Sequence, residues 1–178
     1  MGTEWLEKTL PAEPANIPGS AELLASFDTS ERSEIILTNI AQQLRRHHEA
    51  QWQAEDSSRK SADDDQLLAA IKRQIDHMNM TRSRLVDEID AWAAEHVDQN
   101  SDAALHTETL GSVIDRICIA WVRVDRLREV PNAESRAHLA DRQLRQLSEA
   151  YDQLLGELVR GWRRVPVWNT MKSYGESG

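Results

Sequence analysis

From Leu68 to Trp92 the chain places Leu68, Ile71, Ile75, Met78, Arg82, Leu85, Ile89 and Trp92 at alternating steps of three and four. That spacing keeps one stripe of a helix apolar for about seven turns and demands other helices to cover it. The segment "GSVIDRICIAWVRV", Gly111–Val124, is stricter still. Val113, Ile117, Ala120 and Val124 make one stripe, Ile114, Cys118 and Trp121 a second, and Ile119 and Val122 fill most of what remains. Such a helix is expected at the centre of a domain.

Two further helices complete the pattern. "SERSEIILTNIAQQLRRHHEAQWQAEDSSRK" offers Ser30 as a cap and Glu34 in a first turn, then Ile36, Ile40 and Leu44 on one face. The last runs from about Glu134 to Arg164, with Leu144, Leu147, Tyr151, Leu154, Leu158 and Trp162 facing inward. "SADDD" supplies carboxylates favoured at a helix start, "HVDQNSDAALHTET" reads as a loop, and no strand-like alternation is found. The expected fold is all-α: an antiparallel four-helix bundle over 29–165, an irregular N-terminal arm over 1–28 and a C-terminal tail over 166–178 that folds back. The arm holds three of the five prolines, with Trp5 and Leu6 as a docking point. The tail follows Pro166 and carries Trp168, Met171 and Tyr174, too apolar for a free end, so it is expected to bury Trp168 or Met171.

With 178 residues, 40% of them hydrophobic, one domain has enough apolar material for a core. A net charge of −9 argues against nucleic acid and against an anionic membrane surface. No apolar run is long enough to span a bilayer, and no signal peptide or myristoylation pattern is read at the start, so a cytoplasmic protein is expected. Cys118 is the only cysteine, which leaves no internal disulfide and no CxxC motif.

The apolar stripes are interrupted by charge. Arg82 sits in the seam of the second long helix, and Asp115, Arg116 and Arg123 sit in the third. A buried unpaired charge costs several kcal/mol, so each needs a counter-charge or a ligand. On the first long helix the apolar face continues as His48, Trp52, Glu55 and Arg59. The set spread over three helices points to a ligand-facing polar cluster; bundle-edge salt bridges and snorkelling arginines are the competing account. His47, His77, His96, His106 and His138 share no spacing and read as surface residues. Neither the Glu-x-x-His pairs of a di-iron bundle nor His-Glu-x-x-His occurs, and Gly-rich phosphate loops and nucleophile elbows are missing. No metal and no organic cofactor is therefore expected, and any chemistry falls to acid–base or electrostatic work.

Four blocks resemble a bacterial family of uncharacterised helical proteins, domain-of-unknown-function family 4254, over roughly residues 30–176. They are Trp52, Glu55, Asp56 and Arg59 in "QWQAEDSSR"; Lys72, Arg73, Asp76, Asn79, Arg82 and Asp90 in "KRQIDHMNMTRSRLVDEID"; Glu108, Thr109, Gly111, Asp115 and Arg116 in "TETLGSVIDRICIAWVRV"; and Met171, Lys172 and Tyr174 near the end. The chain departs from that pattern with Gln53 in place of a histidine, Leu110 in place of a proline, Arg123 in place of a lysine and no histidine near Arg126. The resemblance implies a helical fold and an association with biosynthesis of glycans or small molecules, but no established activity.

The sequence thus leads to two expectations. The first is a small-molecule enzyme or binding protein of a bacterial biosynthetic pathway. His48, Glu55 and Asp115 are its acid–base candidates, and Arg59, Asn79, Arg82, Arg116 and Arg123 would hold an anionic or carbonyl-bearing ligand. Trp52 and Trp121 form apolar walls, and Lys172 and Tyr174 arrive from the tail as a lid. The second is a non-catalytic interaction module whose polar cluster sets bundle register while a groove binds a partner enzyme. Homodimer formation stays open.

Overall fold

A computed structural model of the chain describes residues 16–60 and 65–168, and these are mostly helical. The order is α1 (Ser20–Phe27), α2 (Ile36–Lys60), α3 (Asp65–His96), β1 (Ala104–Leu105), α4 (Leu110–Glu129), α5 (Glu134–Val159) and β2 (Arg163–Arg164). Helix α4 packs against α2, α3 and α5, α2 also lies on α3, and α1 bridges α2 and α5. The core runs through Leu23, Leu37, Leu44, Ile89, Ile114, Ile117 and Tyr151.

Part of the arm expected to be irregular is helix α1. Eight residues are too few to hold a helix in water, and tertiary contacts supply the difference. Leu23 and Phe27 are buried one turn apart, and Asp152 of α5 accepts hydrogen bonds from the Ser20 backbone N–H at 2.7 Å and its hydroxyl at 2.6 Å. Trp5 and Leu6 lie outside the described residues. Helix α2 begins at Ile36, later than the Ser30 cap predicts. Side chains from its first turns hold the preceding loop in another shape: Asn39 closes on the backbone of Ser33, and Gln42 donates to the carbonyls of Ser26 and Glu31.

Helix α5 stops at Val159, short of the predicted Arg164. Gly161 takes φ +67°, the left-handed conformation that ends helices; its N–H reaches the Leu158 carbonyl and that of Trp162 reaches Glu157, both at 2.9 Å. The turn swings Trp162 into solvent, 66% exposed, where an inward position was expected. Beyond it Arg163 and Arg164 pair in parallel with Ala104 and Leu105 inside the predicted loop, forming a two-residue sheet. Val165 and Pro166 are buried and Trp168 is half exposed; Met171, the other residue the tail was expected to bury, lies outside the described residues, as do Lys172 and Tyr174.

Helices α3 and α4 cross closely. A Cβ on Gly111 would stand 2.5 Å from the Val86 carbonyl oxygen, and the Gly111 N–H donates to Asp90 at 2.7 Å. This contact sets the register that brings Arg82 of α3 beside Asp115 of α4.

Candidate functional site

On α2, His48, Gln51, Trp52 and Glu55 fall at steps of three, one and three, one stripe of a helix. Arg82 faces them from α3, and Asp115, Ile119, Val122 and Arg123 from α4. Apart from Asp115, these side chains line a cleft of about 230 Å³, and Asp115 lies behind the wall formed by His48 and Arg82.

Asp115 is 3% exposed. Its Oδ1 lies 2.7 Å from His48 Nε2. Arg82 Nε reaches the two carboxylate oxygens at 3.0 and 3.2 Å, and Nη2 donates to Oδ2. Burial pushes the Asp115 carboxyl up, but hydrogen bonds from His48 and Arg82 outweigh it and hold the group below its ordinary value. The Asp115 hydrogen bond in turn raises Arg82. An ionised Asp115 accepts only, so His48 carries its proton on Nε2. The other ring nitrogen, Nδ1, has no hydrogen-bond partner among the described residues. A histidine so oriented by a carboxylate is suited to take or give a proton.

Several candidates sit elsewhere. Arg116 and Arg123 were expected to be at least partly buried and are exposed, because α4 leaves open the face of Arg116, Ile119 and Arg123. Arg116 is 60% exposed and pairs at 2.7 Å with Glu108, just before its own helix, not with a carboxylate of another helix. Arg123 is a wall of the cleft and makes no hydrogen bond or ion pair among the described residues. Trp121 does not wall the site: it meets Phe27 edge-on at 5.8 Å and lies under the Arg45 guanidinium. Arg59 is exposed near the end of α2, three turns beyond His48, with Asp56 at 3.7 Å. Asn79 is exposed on the rim, where it accepts from Gln51 at 3.3 Å.

Sequence reasoning missed His47, which is half-buried and not a surface residue. Burial and the neighbouring charges of His48 and Arg82 lower its pKa, and its Nε2 is enclosed with no partner. The step of three from Leu44 carries the stripe to His47 just as the step of four carries it to His48, a signal legible in the spacing. His106 is half-buried as well, bonded to the backbone of Glu108. A second polar clamp joins α2 to α4, with Glu49 accepting from Arg126 and, at 2.6 Å, from Arg45. Cys118, one turn from Asp115, is fully buried; burial and then the Asp115 charge push its thiol well up, which leaves it protonated and unreactive.

Among the described residues no group of three or more His, Cys, Asp or Glu side chains could hold a metal ion, and no helix is long and apolar enough to cross a membrane.

The molecule is a helical protein built around a buried aspartate shared by a histidine and an arginine. The family model described as a protein of unknown function (DUF4254) matches residues 38–167, and the chain belongs to that family. Every described residue of the cleft lies within the match. No curated protein and no solved structure matches the chain.

Proposed function

We propose that the cleft between α2, α3 and α4 is a small-molecule site, and that the chain is an enzyme or binding protein working without metal in a bacterial biosynthetic pathway. The observation that carries this is the Asp115 carboxylate, fully engaged by His48 and Arg82 directly behind a cleft with an uncommitted arginine, Arg123, in its wall. In this reading His48 moves a proton through Nδ1, Asp115 holds the ring and balances the charge, and Arg82 keeps Asp115 ionised. Glu55 is the carboxylate in the wall of the cleft and Trp52 its apolar wall. The ligand is expected to be anionic. Arg82 meeting Asp115 while Asp90, two turns along α3, meets Gly111, one turn back on α4, supports an antiparallel course for α3 and α4, as neighbours in a four-helix bundle would have.

A panel of carboxylated and phosphorylated metabolites, screened by thermal shift against the chain and its His48→Gln and Arg123→Gln variants, tests this. A ligand that stabilises the parent and fails with Arg123→Gln supports the site, and product formation lost in His48→Gln supports catalysis. Ligands that act equally on all three proteins would refute it.

A second reading, an interaction module, is favoured by one feature: the Asp115 network is satisfied within the protein and ties α2, α3 and α4 together without any ligand.

A further inference from the structure

Helix α4 borders a second cavity. Arg116, Ile119, Ala120 and Arg123 face α5 across a groove of about 440 Å³ that includes Gln146 and Leu147. Ile119 and Arg123 are walls of both this groove and the cleft, so the two spaces adjoin at these residues. Of the arginines lining the two spaces, Arg82 and Arg116 each have a carboxylate within ion-pair reach, while Arg123 has none among the described residues. An exposed arginine over the apolar floor of Ile119, Ala120 and Leu147 is a ready anchor for an acidic group on an otherwise less polar molecule. Size points the same way. Ligand sites span about 300–1,000 Å³; the cleft of about 230 Å³ falls short alone, whereas the groove of about 440 Å³ falls within that range and has room for the body of a ligand.

We propose that the ligand is an elongated molecule with one terminal carboxylate or phosphate held by Arg123 at the mouth of the cleft, and with its body along the α4–α5 groove. This rests on reading the cleft as a small-molecule site and adds the ligand's shape, charge and point of attachment. The Gln146 amide is placed to hydrogen-bond polar groups on the body, and Arg116, two turns of helix or about 10 Å from Arg123, closes the far end of the groove.

Phenylhexanoate, phenylhexyl phosphate and the neutral phenylhexanol serve as probes, titrated into the full chain while NMR follows the Trp52 indole N–H and the Gln146 side-chain amide. At least one acid should move both signals along one binding curve and bind about tenfold or more tightly than the alcohol, in keeping with a hydrogen bond to a charged group. Whichever acid does so identifies carboxylate or phosphate as the anchored group. Arg123→Gln should abolish that advantage with the melting temperature unchanged, and Arg116→Gln should keep most of it. Equal binding of acids and alcohol, an advantage that survives Arg123→Gln, or no binding by any probe at millimolar concentration overturns the proposal. Acid binding that moves only Gln146 also overturns it, while the cleft is still judged separately by the His48→Gln screen. A cleft that responds to no small molecule in either experiment removes the underlying reading as well.

Discussion

The Asp90 carboxylate accepts the backbone N–H of Gly111 at 2.7 Å, across a crossing so close that a Cβ on Gly111 would lie 2.8 Å from the same carboxylate oxygen. The candidate site depends on this contact, because it determines that Arg82, two turns before Asp90, faces Asp115, one turn after Gly111.

Gly111→Ala should therefore destabilise the fold. Alanine favours a helix over glycine by about 1 kcal/mol, but the new methyl meets the Val86 carbonyl oxygen at 2.5 Å, and backbone cannot step aside cheaply. Overpacking of this kind costs about 1–3 kcal/mol, which outweighs the helix gain and leaves a net loss of up to about 2 kcal/mol in urea denaturation. Stability above the parent would show that the crossing is looser than described.

Asp115→Asn should cost about 2–3 kcal/mol, less than a fully enclosed ion pair because Arg82 reaches solvent. The Asp115 carboxyl is held below its unfolded value, so its contribution is complete above that value and fades as pH falls through the folded one. The stability gap between parent and variant should be full above about pH 5 and shrink below about pH 4. A gap that is constant down to pH 2 would contradict the pairing.

His47 titrates in the same sense as Asp115, at higher pH. Its folded pKa is depressed by burial and by His48 and Arg82, so the unfolded chain binds the proton more readily and stability rises with pH below about 6.5. His47→Gln should flatten the stability profile between about pH 5 and 6.5, and the His47 ring should show an NMR midpoint below about 6.5. A midpoint at or above that value would place the ring in water.

Cys118 should resist a soluble thiol reagent while the chain is folded and react fully in denaturant, since the thiol is enclosed and donates to the Ala41 carbonyl. Labelling of the native protein at the rate of a free cysteine would mean that α4 opens readily.

Gly161→Ala tests the end of α5. A left-handed residue with a side chain costs about 1 kcal/mol or more, and a drop in melting temperature of a few degrees is expected. No change would mean that the turn relaxes to another conformation.

Much of the site was legible in the spacing of polar residues on apolar stripes. Arg82 in the seam of α3 and Asp115 in α4 each called for a counter-charge or a ligand, and His48 continued the α2 face; the three meet in the fold. Arg116 and Arg123 were misplaced because an apolar helix is not necessarily surrounded: α4 has neighbours on three sides and leaves Arg116, Ile119 and Arg123 facing a groove. Trp121 was misplaced for a related reason, since an aromatic in a stripe gives no sign of whether its stripe faces the cleft or Phe27. The early stop of α5 did have a local sign in Gly161, overridden by the apolar period that runs on to Trp162.

The long helices, and the ionisable groups on their apolar faces, could be read from the residues alone, because helical period and the cost of burying charge are local properties of the chain. Which of those groups meet is settled by how the helices pack. Partnership depends on register between helices, and that register is set here by the missing side chain of Gly111 against Val86 and Asp90. Helix α1 and the pairing of Arg163 and Arg164 with Ala104 and Leu105 belong to the same class: each is too short to persist alone and forms where distant residues complete its hydrogen bonds and cover its apolar side.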